Sequence, residues 1–214
     1  GISYQTAFNW RHKILSSTNE LTPKQLEGIV EADDTFFPYS EKGQKQKSRK
    51  PRKRGNSNMT LKENKVPVVV STDRKGNTIL SRAGIGSVKR EDLQAAMAGK
   101  FHPEAILCSD GAMVYKGLAI REGIQHVKSA VHGRPVAKNK AYNIQSVNQL
   151  HKDLKVFMSR FNGVSTKYLQ NYLNWFMTHK KKLSDADKIR QIIWISLTYA
   201  AALEYYQAIK KSAT

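Results

Sequence analysis

The sequence predicts an α/β fold, a mixed sheet flanked by helices, and three observations predict it. Short β-rich runs stand at residues 29–37, 66–72, 77–82 and 104–110, bounded by glycine, proline and polar turns. Stretches of helical period separate the later runs and close the chain. The resulting order is three strands, helix, strand, helix, a weak strand, then helices, in 214 residues, enough for one sizeable core.

The chain opens on a Gly1-Ile2-Ser3 turn. Ser3 is placed to cap a helix through Ser16, with Ala7, Phe8, Trp10 and Ile14 as apolar contacts. With Arg11, His12 and Lys13 aboard, this helix reads either as the second half of a helix-turn-helix or as an ordinary packing helix. Leu21–Leu26 is a connector. In GIVEADDTFF (28–37), Ile29, Val30, Thr35, Phe36 and Phe37 have strand character, interrupted by Glu31, Asp33 and Asp34. Acids in an apolar strand are costly to bury unpaired, so a cation, often a metal, is expected to compensate them.

VPVVVST (66–72) is the second strand. Asp73-Arg74-Lys75-Gly76 turns it back into NTILSR (77–82) as a hairpin, and Pro67 sits near a strand start, where a missing N–H is tolerated. Ser87 is expected to cap a helix to about Gly99, with Leu93 and Met97 inward. EAILCSD (104–110) is a strand ending in Ser-Asp-Gly, and from Gly111 a helix carries Met113, Val114, Leu118 and Ile120. QHVKSAV (125–131) is a fifth, weaker strand, followed by a basic loop over 134–140.

YNIQSVNQLHKDLKVF (142–157) is the most informative helix. Val147, Leu150, Leu154 and Phe157 form its buried stripe, and Asn148, His151 and Lys155 form a separate polar line. Asn148 and Lys155 are seven residues apart, almost two turns, so they project in nearly the same direction. A further helix starts near Ser165 and buries Leu169, Tyr172, Leu173, Phe176 and Met177; it ends in the basic His179-Lys180-Lys181-Lys182. The last runs from Ser184, with Asp187 as capping-box partner, to about Lys210. The domain organisation expected is a helix-turn-helix or linker remnant over 1–20, a core over 21–182 with a basic loop at 41–55, and a C-terminal helix over 183–214.

The formal net charge is +19, which favours a polyanionic partner, nucleic acid first. Lys45, Lys47, Arg49, Lys50, Arg52, Lys53 and Arg54 concentrate that charge in the 41–55 tract and are the expected contacts to a phosphate backbone. No apolar run approaches the ~18 residues of a membrane span, and no signal peptide opens the chain. Cys108 is the only cysteine, which excludes a disulfide framework and a thiolate zinc site and suits a reducing, cytoplasmic compartment. His126, His132 and His151 lack zinc-ligand spacing, and Gly84 and Gly86 lack the third glycine of a nucleotide fingerprint.

The element order is that of the ribonuclease-H-like fold. Acids stand on its first strand (Asp33, Asp34) and at the end of its fourth (Asp110), and in such a sheet these strands can lie side by side. The Asn148 helix would pack across them. Phosphodiester chemistry uses such a set: Mg²⁺ prefers oxygen ligands and keeps several waters, and two ions about 3.5–4 Å apart serve the attacking and leaving oxygens.

VEADDTFF (30–37), ILCSDG (106–111) and NIQSVNQLHKDLKVFMSRFNGVSTKYLQNYLNWF (143–176) together resemble the DDE-superfamily transposases of bacterial insertion sequences, closest to the ISXO-like branch. That branch carries an Asp-Asp-Asn-Lys or Asp-Asp-Glu-Lys signature. The resemblance maps it onto Asp33, Asp110, Asn148 and Lys155, with Asp34 where the family usually has Glu. It implies Mg²⁺, with Mn²⁺ as its substitute, held by Asp33, Asp110 and Asn148. It further implies cleavage and strand transfer of transposon ends into target DNA and a homo-oligomeric synaptic complex. No membrane association and a cytoplasmic, nucleoid-associated location are expected. The alternatives are a related nuclease that hydrolyses without joining, and a catalytically inert, transposase-derived DNA-binding protein.

Overall fold

The computed structural model of the chain describes residues 1–44, 64–131, 134–135, 141–198, 204 and 207–208. Strands β1 (Ile29–Pro38), β2 (Lys65–Asp73) and β3 (Thr78–Arg82) form an antiparallel meander. Strands β4 (Ile106–Ser109) and β5 (Gln125–Lys128) continue the sheet in parallel from the other edge of β1. The strand order β3-β2-β1-β4-β5 is the ribonuclease-H-like arrangement expected from the element order.

Local chemistry explains each step. Asp73 Oδ1 accepts from the amides of Lys75 and Asn77, at 2.9 Å each, which closes the β2–β3 turn with Gly76 at φ 87°. Parallel pairing requires crossovers, supplied by α2 (Arg90–Met97) between β3 and β4 and α3 (Met113–Glu122) between β4 and β5. These two helices close one face of the sheet over Val30, Ala32, Val69, Leu107, Tyr115 and Leu118. Helix α4 (Gln145–Ser159) lies against β1 and β2, with Val147, Leu154 and Phe157 buried. Strand β2 is buried along its length after Lys65, which is why it reads as an unbroken apolar run rather than an alternating one.

Two expected element bounds are corrected, and the structure sets the phase of α3. Helix α2 begins at Arg90 rather than at Ser87, because Gly84 and Gly86 take left-handed φ (74° and 94°) and the Gly86 amide bonds to Lys65 C=O at 2.8 Å. In α3, Met113 and Ile120 are exposed, and Tyr115, Leu118 and Ala119, spaced i, i+3, i+4, form the buried face. The weak strand is two: β5 ends at Lys128, and β6 (Ala130–Val131) pairs with β7 (Arg134–Pro135) as a separate ladder.

By its contacts the chain divides into two compact units. Pro23–Tyr39 with Ser57–Arg160 holds the five-stranded sheet, and Gly1–Thr22, Ser40–Asn56 and Phe161–Thr214 form the other. Among its described residues the second unit is helical: α1 (Tyr4–Ser17), α5 (Leu169–Lys180), α6 (Asp185–Thr198) and two 3-10 turns. Ser3 caps α1 through the Thr6 amide, and Ser184 Oγ caps α6 by accepting the Asp187 amide at 3.1 Å; Asp187 Oδ2 in turn accepts the Ser184 hydroxyl at 2.6 Å, so it steadies the cap and does not take the Ser184 amide as a full capping box would. Leu169, Tyr172, Leu173, Phe176 and Met177 are all buried, as their period requires. His12 is buried and stacked on Tyr168 with centroids 3.9 Å apart. Burial first, then Arg11 and Lys167, pushes its pKa down to about 4, so His12 is a neutral core ring. Arg11 and Lys13 stay exposed.

Candidate active site

The parallel pairing of β1 with β4 aligns Val30 with Leu107 and Glu31 with Cys108. Two residues further along that register, Asp33 on β1 comes level with Asp110, the first residue after β4. The sequence-predicted pair of strands is therefore adjacent, and the two acids share one end of the junction. Asp110 is exposed, and its Oδ1 accepts the Ala112 amide at 3.0 Å, which folds the chain away from the strand end before α3 starts. Ser109 anchors the same corner: its hydroxyl pairs with His126 Nε2 at 2.9 Å, and its carbonyl accepts Ser129 Oγ at 3.0 Å.

Successive strand residues face opposite sides of a sheet. Asp33 turns toward α4, and Asp34 turns toward α3, where Tyr115 Oη donates to its Oδ1 at 3.3 Å. Burial raises the Asp33 pKa to about 6, with further upward pushes from Asp34 and Asp110. Burial raises Asp34 too, with Asp110 adding, although the Tyr115 hydrogen bond opposes the shift. Both acids therefore feel Asp110 across the strand junction, and desolvated like charges are the condition under which a cation binds favourably.

Helix α4 presents its polar line as the sequence predicted. At about 100° per residue, Asn148, His151 and Lys155 fall within about 60° of one another. Asn148 and Lys155 are exposed; His151 is half-buried. It is His151 that reaches the acids, with Nδ1 4.0 Å from Asp33 Oδ2. Its Nε2 is buried with no hydrogen-bond partner, and burial, then Lys155, lowers its pKa. The ring is neutral on that account. Sequence reasoning set His151 aside because histidine spacing excluded zinc, yet its place between Asn148 and Lys155 on one face was the signal. Asp153 points elsewhere, accepting Gln149 Nε2 at 2.9 Å.

Glu31 is the acid whose role differs from expectation. It is 1% exposed and is compensated by protein, not by metal: Arg74 Nη1 lies 2.5 Å from Oε1. The rest of its carboxylate caps α4. Oε2 accepts the amides of Ser146 at 2.8 Å and Val147 at 3.1 Å, and Oε1 accepts Ser146 Oγ at 3.0 Å.

The donor set suits a hard divalent ion. Among the described residues no three His, Cys, Asp or Glu side chains are grouped to hold an ion unaided. Two carboxylates with waters and substrate phosphates are a usual Mg²⁺ environment, and Asp33 and Asp110 fit it. Cys108, buried on β4, has its thiol pushed up to about 11 by burial and stays neutral. The seven basic residues expected to hold DNA backbone, Lys45 to Arg54, lie outside the described residues. No helix among the described residues is long and apolar enough to cross a membrane.

A mixed sheet in the order 3-2-1-4-5, with acids at the junction of its first and fourth strands, defines the ribonuclease-H-like class. Within that class the ISXO2-like transposase domain matches residues 25–177, and the chain belongs to that family. Among solved structures, a chain of the simian T-cell lymphotropic virus intasome in complex with the PP2A regulatory subunit B56 gamma is similar, with TM-score 0.45 and 12% identity. That match covers 77% of this chain, which spans about half (52%) of its counterpart. Comparison with curated proteins gave no match.

Proposed function

We propose that the chain is the catalytic core of a DNA transposase that cleaves the ends of an insertion sequence and joins them to target DNA. The observation that carries this reading is the β1–β4 junction, where the Asp33 pKa is raised to about 6 beside Asp34 and Asp110. Membership of the transposase family supports it. Asp33 and Asp110 would hold Mg²⁺ or Mn²⁺, with the Asn148 amide oxygen as a further ligand. Bound there, such ions activate the attacking oxygen and stabilise the leaving one.

The chain's own residues bind, orient and exclude. Lys155, exposed on the same face, meets the scissile or flanking phosphate as a point charge. His151 closes the floor beside Asp33 and, being neutral, adds no positive charge to compete with the ion. In cleavage, a water oxygen bonds to phosphorus and the bond to the 3′-oxygen breaks; one water proton ends on the freed 3′-hydroxyl and the other passes to solvent, leaving a 5′-phosphate. In joining, that 3′-hydroxyl attacks a target phosphodiester and releases a target 3′-hydroxyl. Both are displacements at phosphorus that need no covalent protein intermediate. The 41–55 tract and the lysines near 180 would grip backbone, and synapsis of two ends would require a homo-oligomer.

The test is incubation with supercoiled and end-containing DNA, with Mg²⁺ or Mn²⁺, beside Asp110→Asn. Metal-dependent nicking and joined products, absent in the variant, support a transposase. Nicking without joining indicates the hydrolytic nuclease, and salt-sensitive binding with no metal-dependent chemistry indicates the inert DNA binder. Lys155→Ala is expected to weaken turnover by roughly 10²–10³-fold, as for loss of one charge-stabilising contact; unchanged turnover would remove Lys155 from the site.

A pH experiment checks the metal ligand independently of DNA. The Asp33 carboxyl titrates near 6 in the fold against an ordinary 3.8. The folded state therefore holds a proton that the unfolded state has released across that window. Stability of the metal-free protein falls as pH rises through it and stays lower above it. An ion at Asp33 must displace that proton, so Mn²⁺ should raise the melting temperature little at pH 5 and clearly at pH 7.5. An equal rise at both values would place the ion elsewhere.

A further inference from the structure

Four backbone donors open any α-helix without an intrahelical partner, and a side-chain oxygen on the cap residue commonly takes one or two of them. Helix α4 has no such cap: Ile144 stands at the position and offers no side-chain hydrogen bond. The Gln145 amide is taken by Asn143 Oδ1 at 3.1 Å. The next two, Ser146 and Val147, are taken by Glu31, which lies more than a hundred residues earlier on β1. A carboxylate there also meets the positive end of the helix dipole.

Glu31 is held from behind. Arg74, in the β2–β3 turn, pairs with its Oε1, and Arg74 Nη2 donates to Ala141 C=O at 2.5 Å, just before α4. The carboxylate thus accepts two backbone amides, the Ser146 hydroxyl and a guanidinium, so both its oxygens are satisfied in a site 1% exposed. Glu31 is also two residues from Asp33, hence on the same face of β1. One strand therefore carries both the acid at the junction and the group that docks the opposing helix. Asn148 is two residues beyond the Ser146 donor, so the tether acts at the start of the polar face.

We propose that Glu31 is a positioning residue: anchored by Arg74, it ties the first turn of α4 to β1 and sets the spacing between the Asn148–His151–Lys155 face and the Asp33–Asp110 pair. The activity part of this inference rests on the transposase reading; the tether does not. Glu31→Gln is the informative variant. Its amide NH₂ must face either two helix amides or Arg74, donor against donor, in a site only 1% exposed.

Amide hydrogen exchange reads the tether directly in the full chain. Glu31→Gln should lower protection over 145–150 at least about tenfold more than in β1–β3, whereas Leu118→Ala, a core truncation on the opposite face, should lower protection across the whole sheet unit. At saturating DNA and Mg²⁺ the turnover of Glu31→Gln should fall by about 10²-fold, the cost typical of an ångström of misplacement, with DNA Kd changed less than about twofold. Ser146→Ala, which removes one of the four bonds, should show the same pattern more weakly. Exchange that rises uniformly, as in Leu118→Ala, would make Glu31 merely structural and overturn the proposal; so would local fraying with unchanged turnover. Should the wild-type protein prove inactive, the transposase reading fails, and the exchange pattern alone upholds or overturns the tether.

Discussion

Asp33→Asn is expected to abolish metal-dependent DNA cleavage, by ~10³-fold or more, while raising the melting temperature of the metal-free protein. The two effects have one cause. Asp33 is desolvated beside Asp34 and Asp110, so its ionised form is disfavoured until a cation arrives. Asparagine relieves that repulsion in the empty site and removes the ligand in the loaded one. Several kcal/mol of transition-state stabilisation from a bound ion correspond to the stated loss, at about 1.4 kcal/mol per tenfold. Nicking assays and thermal unfolding of the same preparations check both halves. Lost cleavage with a lowered melting temperature would show that Asp33 supports the fold rather than the chemistry.

Tyr115→Ala is expected to destabilise the sheet unit by ~3–5 kcal/mol, the range for deleting a large buried aromatic. Tyr115 is among the largest fully buried side chains, packed where α3 meets the sheet. Its hydroxyl is also the donor that lies against Asp34, and burial with the neighbouring Asp34 and Asp33 raises its pKa well above the ordinary value, so it remains a donor throughout the working range. Tyr115→Phe separates packing from hydrogen bonding. It keeps the ring, and is expected to cost about 1 kcal/mol while leaving Asp34 with less reason to ionise. Urea denaturation of both variants decides. Equal losses would assign the whole effect to the hydroxyl.

Most of the strand plan was legible because its signal is local. VPVVVST and EAILCSD are short, branched and bounded by turns, and their order along the chain matched the ribonuclease-H-like fold, whose sheet can set the first and fourth strands side by side. Helix boundaries were less legible where glycine conformations decide them, as at Gly84 and Gly86 before α2. The phase of α3 was not legible for a related reason. Methionine and isoleucine are apolar wherever they sit, but only the docked helix decides that Tyr115 faces in and Met113 faces out.

The candidate site divides the same way. The chain alone determined the acids, their strands, and the helix face that carries Asn148, His151 and Lys155, since residue type and a period of 3.6 are properties of sequence. The tertiary structure decided what each polar group meets. It placed His151 within 4.0 Å of Asp33, turned Asp34 to Tyr115, and gave Glu31 to Arg74 and the start of α4. Three acids within four residues look alike in a string of letters. Their partners are 40 to 120 positions away, and a carboxylate becomes a ligand, a hydrogen-bond acceptor or a helix cap according to which partner the sheet and its helices bring to it.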